Sequence, residues 1–452
     1  MNARRNFLRA GGILPLAGLT GSAGLLSGWA NQGVAAGNDY KALVVLFLNG
    51  GNDGHNTLVP TDGAYNDYSA ARGNLALPKS SLVTLGNAAG HSFGLHPGLA
   101  PLVPLYQQQR LAWLSNVGPL IKPATAAQVL ANAVDVPPFL LSHSDQVAIQ
   151  QGWMVKDDLS GWAGRGLELL PTELRNDIAA VTMNNQRTLL QGKASRVAFM
   201  SRDGSRYWGN GDVTNPQSNA SAPLFTMAQW QFANEYQAEY ARTFGGALAD
   251  SALFARALQQ ATPPTADFGT GNLGKDLRAL ASVLPTFKNQ GLRRQVFLVQ
   301  WGDFDTHASQ LGSGERSQDT QLGELGKAIA AFDQTLRSSG MGDEVVTLVM
   351  SEFGRTLRPG SGGGSEHAWG NHWFALGGPV AGGTVHGTFP TLTLGGPDDG
   401  DPNKNGRTVP TIATDQVGSA LMQWMGLPAN RVVEAFPNLA NFSQKTTALL
   451  RG

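Results

Sequence analysis

The stretch KALVVLFLNGGNDGHNTLVP (41–60) decides the fold. It begins with a continuous apolar run rich in branched side chains, and a polar, glycine-rich turn (49–54) follows at once. Such a run bounded by a tight turn is typical of a fully buried parallel strand. Residues 111–117, 296–300 and 345–350 have the same character and predict three further strands.

Helical patterns lie between these runs, so strands and helices alternate along the chain. This alternation predicts an α/β fold, a three-layer α/β/α sandwich around a largely parallel sheet. We also expect a C-terminal hairpin over 382–396 and a helical insertion, a possible cap, over 190–275. The insertion contains one or two helices over 227–261, broken near Gly245 and Gly246. The other expected helices span 98–109, 143–153, 277–289, 319–338 and 414–425, the last capped by Thr414.

The first 36 residues have the features of an export signal. RRNFLR (4–9) is a twin-arginine core, a weakly apolar, glycine-rich stretch follows over 10–29, and VAA (34–36) offers small residues for cleavage. We therefore expect a single domain over 37–452 and a location in the periplasm or outside the cell. The alternative is a chance arginine pair before a short membrane anchor, but Pro15 and several glycines interrupt the apolar stretch, which contains no unbroken span of about 20 apolar residues. No later apolar run is long enough to span a bilayer.

The composition excludes several classes of function. Basic and acidic residues balance at 33 each, which argues against a nucleic-acid binder, because such proteins normally carry a basic surface. The chain has no cysteine, so disulfides, thiolate metal sites and cysteine nucleophiles are excluded. The remaining chemistry depends on oxygen, nitrogen and carboxylate groups.

Carboxylates and histidines follow the predicted strands, at the sheet edge where α/β proteins place functional residues. Such a group without thiols suits divalent ions at one or two sites, with zinc favoured and Mn, Mg, Ca or Fe left open. Each residue alone has a plainer explanation, since an aspartate in a glycine-rich turn is usually a turn former. The candidates are Asp53 after the first strand, Asp305 and His307 after 296–300, Glu352 after 345–350, and His367 and His372 in EHAWGNH (366–372).

The same stretches make the chain similar to a known family. The chain resembles the DUF1501 family, which is assigned by similarity to the alkaline phosphatase/sulfatase-like superfamily. The resemblance implies hydrolysis of phosphate or sulfate esters at a two-metal site on an α/β/α sandwich. The matching stretches are LVVLFLNGGNDGHNTLVP (43–60), GLHPGLAPLVPLY (94–106), SHSDQ with GW (142–153), GDFDTHASQ (302–310), SEFGRT (351–356) and EHAWGNHWFALGGPVAGG (366–383).

The resemblance also implies which residues hold metal. The implied ligands are Asp53 for one ion, Asp305 and His307 for the other, and His367 as the last. Where the superfamily has Asp-His after a strand, this sequence has Glu352 and Phe353. The carboxylate is kept, and His372 is the candidate that would supply the nitrogen that Phe353 lacks.

The superfamily nucleophile lies at a helix N-terminus, where the helix dipole favours an anion. The resemblance therefore points to Ser142 or Ser144, with helix capping as the alternative role of both. His143 is a candidate for positioning the leaving group or water. Arg355 is the candidate for holding the anion's oxygens through its fork of donors, with pairing to a local carboxylate as the alternative.

Three functions remain open at this point. The favoured one is an exported metal-dependent hydrolase of a small anionic ester, phosphate before sulfate. The second is a non-catalytic exported protein that keeps the fold and a partial metal site for binding or structure. The third is metal-assisted hydrolysis of a non-anionic substrate by water, without a covalent intermediate.

Overall fold

The computed structural model describes residues 39–152, 158–184, 186–204, 207–208, 211–212, 214–215, 218–219 and 221–451. The predicted twin-arginine signal lies outside the described residues and stays a prediction. The chain from Asp39 onward forms one compact unit. Among the described residues, no helix combines the length and the apolar character that crossing a membrane requires.

A large sheet forms around β1 (Lys41–Leu48). β1 pairs in parallel with β10 (Arg294–Trp301) on one side and with β11 (Val345–Ser351) on the other. Within the described part of the chain this sheet has nine strands, of which β14 (Asn371–Leu376) alone is antiparallel to β1. β14 lies between β11 and β5 (Leu111–Gly118). The four predicted strands and the largely parallel sheet are confirmed.

The remaining strands are short. The large sheet also contains β6 (Ala180–Thr182), β7 (Ala198–Phe199), β15 (Val385–His386) and β16 (Ile412–Ala413). Smaller sheets contain β2 (Leu58–Pro60), β3 (Val83–Ala88) and β4 (His91–Leu95); β8 (Tyr207–Trp208) and β9 (Gly211–Asp212); and β12 (Arg355–Pro359) and β13 (Ser365–His367).

The helices alternate with the long strands. The α-helices of the described residues are α1 (Ala64–Arg72), α2 (Val103–Gln107), α3 (Ala126–Leu130), α4 (His143–Gln150), α5 (Trp162–Glu168), α6 (Ala222–Ala228), α7 (Glu235–Gln260), α8 (Asn272–Asn289), α9 (Gln318–Ser338), α10 (Thr414–Trp424) and α11 (Val432–Ala435). Short 3-10 helices span Gly54–Asn56, Gly73–Leu75, Lys79–Ser81, Pro97–Leu102, Thr172–Leu174, Thr188–Leu190, Ala429–Arg431 and Pro437–Asn441.

Helices cover both faces of the large sheet. Successive side chains of a strand point to opposite faces, so alternate residues of β1 enter two separate cores. Val44 and Leu46 belong to the core that α8 and α9 cover. Val45 and Phe47 belong to the core that α5 and α10 cover. This arrangement confirms the three-layer sandwich.

The helical insertion differs from the expectation at its two glycines. α7 runs without a break through Gly245 and Gly246, where the sequence predicted an interruption. A Cβ on Gly245 would lie 3.0 Å from the Cβ of Ala228 in α6, a tight contact. The glycine therefore lets the two helices pack closely, and this packing outweighs its low helix propensity.

Two further details lie near the C-terminus. The C-terminal hairpin is present, but its antiparallel bridge joins Asp399 to Thr408, downstream of the expected range 382–396. Within that range, β15 pairs in parallel with β5. α10 begins at Thr414 with Ala413 in the capping position, one residue before the predicted cap.

Candidate metal centre

The residues that follow the central strands meet at one edge of the sheet. Asp305 lies in the loop after β10, Glu352 follows β11 directly, and His367 ends β13. His143, the first residue of α4, reaches the same place. β10 and β11 run parallel to β1 on either side of it, so both end at this edge, and the residues that follow them meet there.

Two glycines after β1 let these loops pack closely. Gly50 has a φ of 93° and Gly51 a φ of 79°, values that residues with a side chain rarely adopt. A Cβ on Gly50 would lie 2.4 Å from the backbone nitrogen of Asp305. A Cβ on Gly51 would lie 2.1 Å from the ring of Phe353. The turn after β1 thus supports the site through its backbone.

The side chains of His143, Asp305 and His367, here called the ligand group, form a cluster that could hold a metal ion. One ligand atom from each lies within 4.8 Å of the other two. An oxygen of Asp305 lies 3.4 Å from Nε2 of His143. The other oxygen lies 3.2 Å from Nε2 of His367. All three residues are partly exposed, so the cluster is open to solvent.

The outer nitrogens of both histidines are held by acceptors. Nδ1 of His367 lies 2.7 Å from the carbonyl oxygen of Leu141, and Nδ1 of His143 contacts Oε1 of Glu352. Carbonyl and carboxylate oxygens only accept, so each Nδ1 donates the hydrogen and a neutral ring keeps its lone pair on Nε2. Burial lowers the pKa of His367, although its bond to Leu141 opposes that shift, and the neutral form is favoured.

The charge of Asp305 completes the donor set. Partial burial acts to raise the pKa of this carboxyl, but the hydrogen bond and the charge of Arg355 outweigh it, and the pKa falls to about 2. Two imidazole nitrogens and an ionised carboxylate therefore face one another. A divalent cation such as zinc fits this donor set, since it pairs with all three groups at once.

His307 adjoins the ligand group. Its Nε2 lies 2.9 Å from an oxygen of Asp305 and 3.0 Å from Nε2 of His367. Its Nδ1 lies 2.7 Å from an oxygen of Glu366. The structure thus brings the sequence candidates Asp305, His307 and His367 together, and it leaves His307 in reach of the same ion.

Glu352 contacts the ligand group from outside. The side chain is buried, and its carboxylate accepts from His143. Burial raises the pKa of Glu352, and the contact with His143 opposes the shift. Phe353 packs beneath both histidines of the ligand group, with ring centroids 5.0 Å from His143 and 4.5 Å from His367. Glu352, predicted as a ligand, is placed to orient His143 instead.

Asp53, predicted as a ligand, is occupied elsewhere. It is 1 % exposed, and its carboxylate forms an ion pair with the buried guanidinium of Arg72. The same carboxylate accepts from Nε2 of Gln310 at 2.6 Å and from the backbone N–H of His55 at 3.0 Å. These contacts use its oxygens and neutralise its charge, so the structure does not support Asp53 as a ligand.

His372 is likewise separate from the ligand group. The ring is buried, and it stacks on Phe389 with centroids 5.0 Å apart. Its Nδ1 accepts the backbone N–H of Asn116 at 3.1 Å, which leaves the hydrogen on Nε2. Burial lowers the pKa of His372 well below its usual value, and His55 adds to that shift. A buried ring in this state does not replace the nitrogen that Phe353 lacks.

Arg355 serves the protein rather than an external anion. The side chain is 0 % exposed, and its Nη2 donates to Asp305 at 2.6 Å. Other donors of the guanidinium reach the carbonyl oxygens of Gly51 at 2.8 Å and of Ser365 at 2.9 Å. The alternative of pairing with a local carboxylate is the one observed, and Arg355 ties three loops together.

The two candidate nucleophiles differ in exposure. Ser142 precedes α4 without a side-chain cap bond, so its hydroxyl is not a helix cap. This hydroxyl donates to a carboxylate oxygen of Asp145 at 2.5 Å. Ser144 is exposed, and its Oγ lies 3.3 Å from that of Ser142.

Sequence reasoning missed three partners. His143 was considered for the leaving group or water, whereas the structure places it in the ligand group. The carbonyl of Leu141 and the carboxylate of Glu366 each hold a histidine, and the sequence offers no signal for the first. The sequence did offer a signal for Glu366, because this residue directly precedes the candidate ligand His367.

Comparisons with known proteins complete this description. No curated protein matches the sequence. Solved structures with some similarity include an alkaline phosphatase superfamily protein from Vibrio parahaemolyticus, at 10% identity over 86% of this chain and 67% of that one, with a TM-score of 0.33. Another is the zinc complex of the C-terminal periplasmic domain of EcEptC from Escherichia coli, at 9% identity over 87% of this chain and 84% of that one, with a TM-score of 0.35. TM-scores this low do not establish a shared fold.

The family comparison is decisive. The model of the family described as "Protein of unknown function (DUF1501)" matches residues 40–402, most of the chain. The resemblance read from the sequence motifs is thereby confirmed, and the chain belongs to the DUF1501 family.

Proposed function

We propose that the protein is an exported, metal-dependent hydrolase of a small anionic ester, phosphate before sulfate. The observation that carries the proposal is the ligand group, in which two imidazole nitrogens and a carboxylate face one another and stay open to solvent. Three protein ligands with an open side are typical of catalytic zinc sites, whereas structural sites are closed. The motif resemblance of 302–310 and 366–383 to the phosphatase/sulfatase-like superfamily supports the ester class.

We assign the ion to His143, Asp305 and His367, and His307 adjoins these three ligands without being counted as a fourth. Zinc suits two imidazoles and a carboxylate best, and Mn or Fe would also accept them. When bound, the ion would polarise an ester oxygen and neutralise its charge. Glu352 orients one imidazole of this set, as outer acceptors do in other metal sites.

Ser142 is the proposed nucleophile. It lies in the chain between Leu141, whose carbonyl oxygen accepts from His367, and His143, which belongs to the ligand group. Its hydroxyl donates to Asp145, so the proton released when Oγ attacks phosphorus or sulfur has an acceptor in place. The bond to the alcohol oxygen breaks in this step, and the alcohol leaves with a proton from water. A water molecule then attacks in the same way and releases the inorganic anion from Oγ. Ser144 is exposed and is therefore less well held for attack.

One observation favours a second candidate, a non-catalytic metal-binding protein. Arg355 is buried and donates to Asp305 and to backbone carbonyls, so it does not reach an external anion. In the hydrolase proposal the bound ion and the helix N-terminus must therefore neutralise the ester by themselves. Export, in either case, rests on the twin-arginine core RRNFLR (4–9).

The test is turnover and metal content measured on the same proteins. Zinc-loaded protein is assayed with 4-nitrophenyl phosphate and 4-nitrophenyl sulfate. We expect Ser142→Ala to abolish turnover and keep the metal, and His367→Ala to lose both. His91→Ala is the matched control, since His91 is a partly exposed histidine that pairs with Asp62 outside the ligand group.

Each outcome separates the candidates. Bound metal without turnover of either ester favours the non-catalytic protein. Turnover that survives in Ser142→Ala removes the covalent step and leaves water as the nucleophile. Wild-type protein that binds no divalent ion overturns both candidates.

A further inference from the structure

Phe139 is a large apolar side chain that the fold leaves exposed. It exposes 73 % of its surface, whereas its neighbour Leu140 packs against the hydrophobic core. Its φ is 53°, in the left-handed region that a bulky residue rarely adopts. Exposure and backbone strain both disfavour phenylalanine here, whereas glycine or asparagine would adopt this left-handed conformation at a lower conformational energy.

The turn that carries Phe139 contacts the ligand group. The carbonyl oxygen of Phe139 accepts the backbone N–H of Ser142 at 3.3 Å. Leu141 also has a positive φ, of 78°, and its carbonyl oxygen accepts from His367 at 2.7 Å. Two left-handed residues within three positions thus fix the turn beside the candidate metal site. Strained residues of this kind concentrate at functional sites.

The exposed side chains of the candidate metal site have a different chemistry from Phe139. The side chains of His143, His307 and Glu366 are between 40 % and 51 % exposed, and all three are polar. Phe139 offers only the faces and edges of an apolar ring. It cannot bind the charged end of an anionic ester, whose place is at the ligand group. The part of such a substrate that Phe139 fits is its alcohol.

We propose that Phe139 is a specificity-determining residue that packs on a ring in the alcohol part of the substrate. This inference rests on the proposed function and narrows its substrate class to esters whose alcohol carries an aryl or sugar ring. Both kinds of ring present an apolar face of the size of a phenyl group. Open-chain alcohols would gain little from the contact.

The experiment measures binding of matched probes to the zinc-loaded full chain. The ring probes are phenylphosphonate and benzenesulfonate, each paired with methylphosphonate or methanesulfonate, and glucose 6-phosphate and glucose 6-sulfate represent the sugar ring. We expect Phe139→Ala to weaken a ring probe by about 2- to 12-fold and to leave the methyl probes unchanged. Phe139→Tyr keeps the ring and should restore binding.

The control is Tyr236→Ala, which removes an aromatic side chain that is 87 % exposed on α7. Loss confined to the phenyl probes identifies an aryl ester, and loss confined to the glucose probes identifies a sugar ester. Equal binding of all probes by wild type and Phe139→Ala overturns the inference and leaves the proposed function intact. Wild-type protein that binds zinc but none of the probes overturns the proposed function and the inference with it.

Discussion

Asp305 and Asp53 both follow strands of the central sheet, yet their surroundings are opposite. Asp305 is about one-third exposed and lies among the imidazoles of His143 and His367. Asp53 is 1 % exposed and pairs with the buried guanidinium of Arg72. One oxygen of Asp305 faces the imidazole of His143 on the side that is open to solvent, whereas both oxygens of Asp53 accept hydrogen bonds within the core.

The difference shows what decides the role of a strand-end carboxylate. Both residues have the sequence context of a metal ligand, a glycine-containing loop after a buried strand. What separates them is the set of partners that the rest of the chain brings. Each carboxylate pairs with a buried guanidinium, Arg72 for Asp53 and Arg355 for Asp305. The other partners of Asp53 are hydrogen-bond donors of the core, whereas those of Asp305 are imidazole nitrogens of the ligand group. Position at the sheet edge is necessary but not sufficient.

The largest effect is expected from Asp53→Asn. This change leaves the guanidinium of Arg72 buried without its counter-charge, and breaking a buried ion pair in this way costs about 3–5 kcal/mol of the free energy of unfolding. Urea unfolding measures the loss. Zinc content of the folded protein should stay at the wild-type value, and a variant of unchanged stability that has lost its zinc would make Asp53 a ligand after all.

Asp415 extends the comparison of Asp53 and Asp305 to a third carboxylate, a buried one that accepts a hydrogen bond from the side-chain amide of Asn438. Burial raises its pKa to about 6, although Asn438 and Arg165 oppose the shift. Because the folded-state pKa lies above the ordinary value, the folded protein binds the proton more tightly, and stability falls as pH rises from about 4 to about 6. Asp415→Asn should therefore raise the free energy of unfolding by about 2–3 kcal/mol at pH 8. The gain should vanish near pH 4, and a gain independent of pH would contradict the assignment.

The next largest effect concerns zinc affinity, which should differ between variants of Glu352, the partner of His143, and of Glu366, the partner of His307. Glu352→Gln is expected to lower zinc affinity by about 10- to 100-fold, the usual cost of losing an outer acceptor of a ligating histidine. Glu366→Gln is the matched variant, and we expect it to lower zinc affinity less, because Glu366 contacts His307, which adjoins the ligand group but does not belong to it. Competitive zinc titration measures both. Equal losses would make His307 a full ligand.

The smallest effect is expected from Ser144→Ala. The residue is exposed and contacts only neighbours within α4 and its N-terminus among the bonds described. We expect a change of about 0.5 kcal/mol or less in stability and no change in turnover. Thermal unfolding and the ester assay check both, and lost turnover with retained metal would move the nucleophile from Ser142 to Ser144.

The sequence predicted the scaffold well because its signals are local. The apolar run 41–48 is β1 residue for residue, and the run 345–350 lacks only the last residue of β11. The placement of Asp305, His307 and Glu352 at one edge followed from one rule, that parallel strands end at the same edge, whereas His367 lies in the separate sheet of β12 and β13. Continuous apolar runs and strand-end residues are visible without knowledge of tertiary contacts.

The wrong expectations about the site depended on partners from other parts of the chain. Asp53 forms an ion pair with Arg72, the last residue of α1. Arg355 donates its hydrogen bonds to backbone carbonyl oxygens of three loops. The ring of His372 is fixed by a backbone N–H from β5. A motif shows which side chain is present, but only the folded structure shows which hydrogen-bond partner that side chain contacts.

The central claim is that metal binds at the ligand group and not beside Asp53. The most direct test is anomalous diffraction from zinc-loaded crystals, collected at the zinc edge. We predict a peak between His143, Asp305 and His367, with zinc–ligand distances of about 2.0–2.2 Å. A peak at Asp53 or His372, with none at the ligand group, would contradict the account.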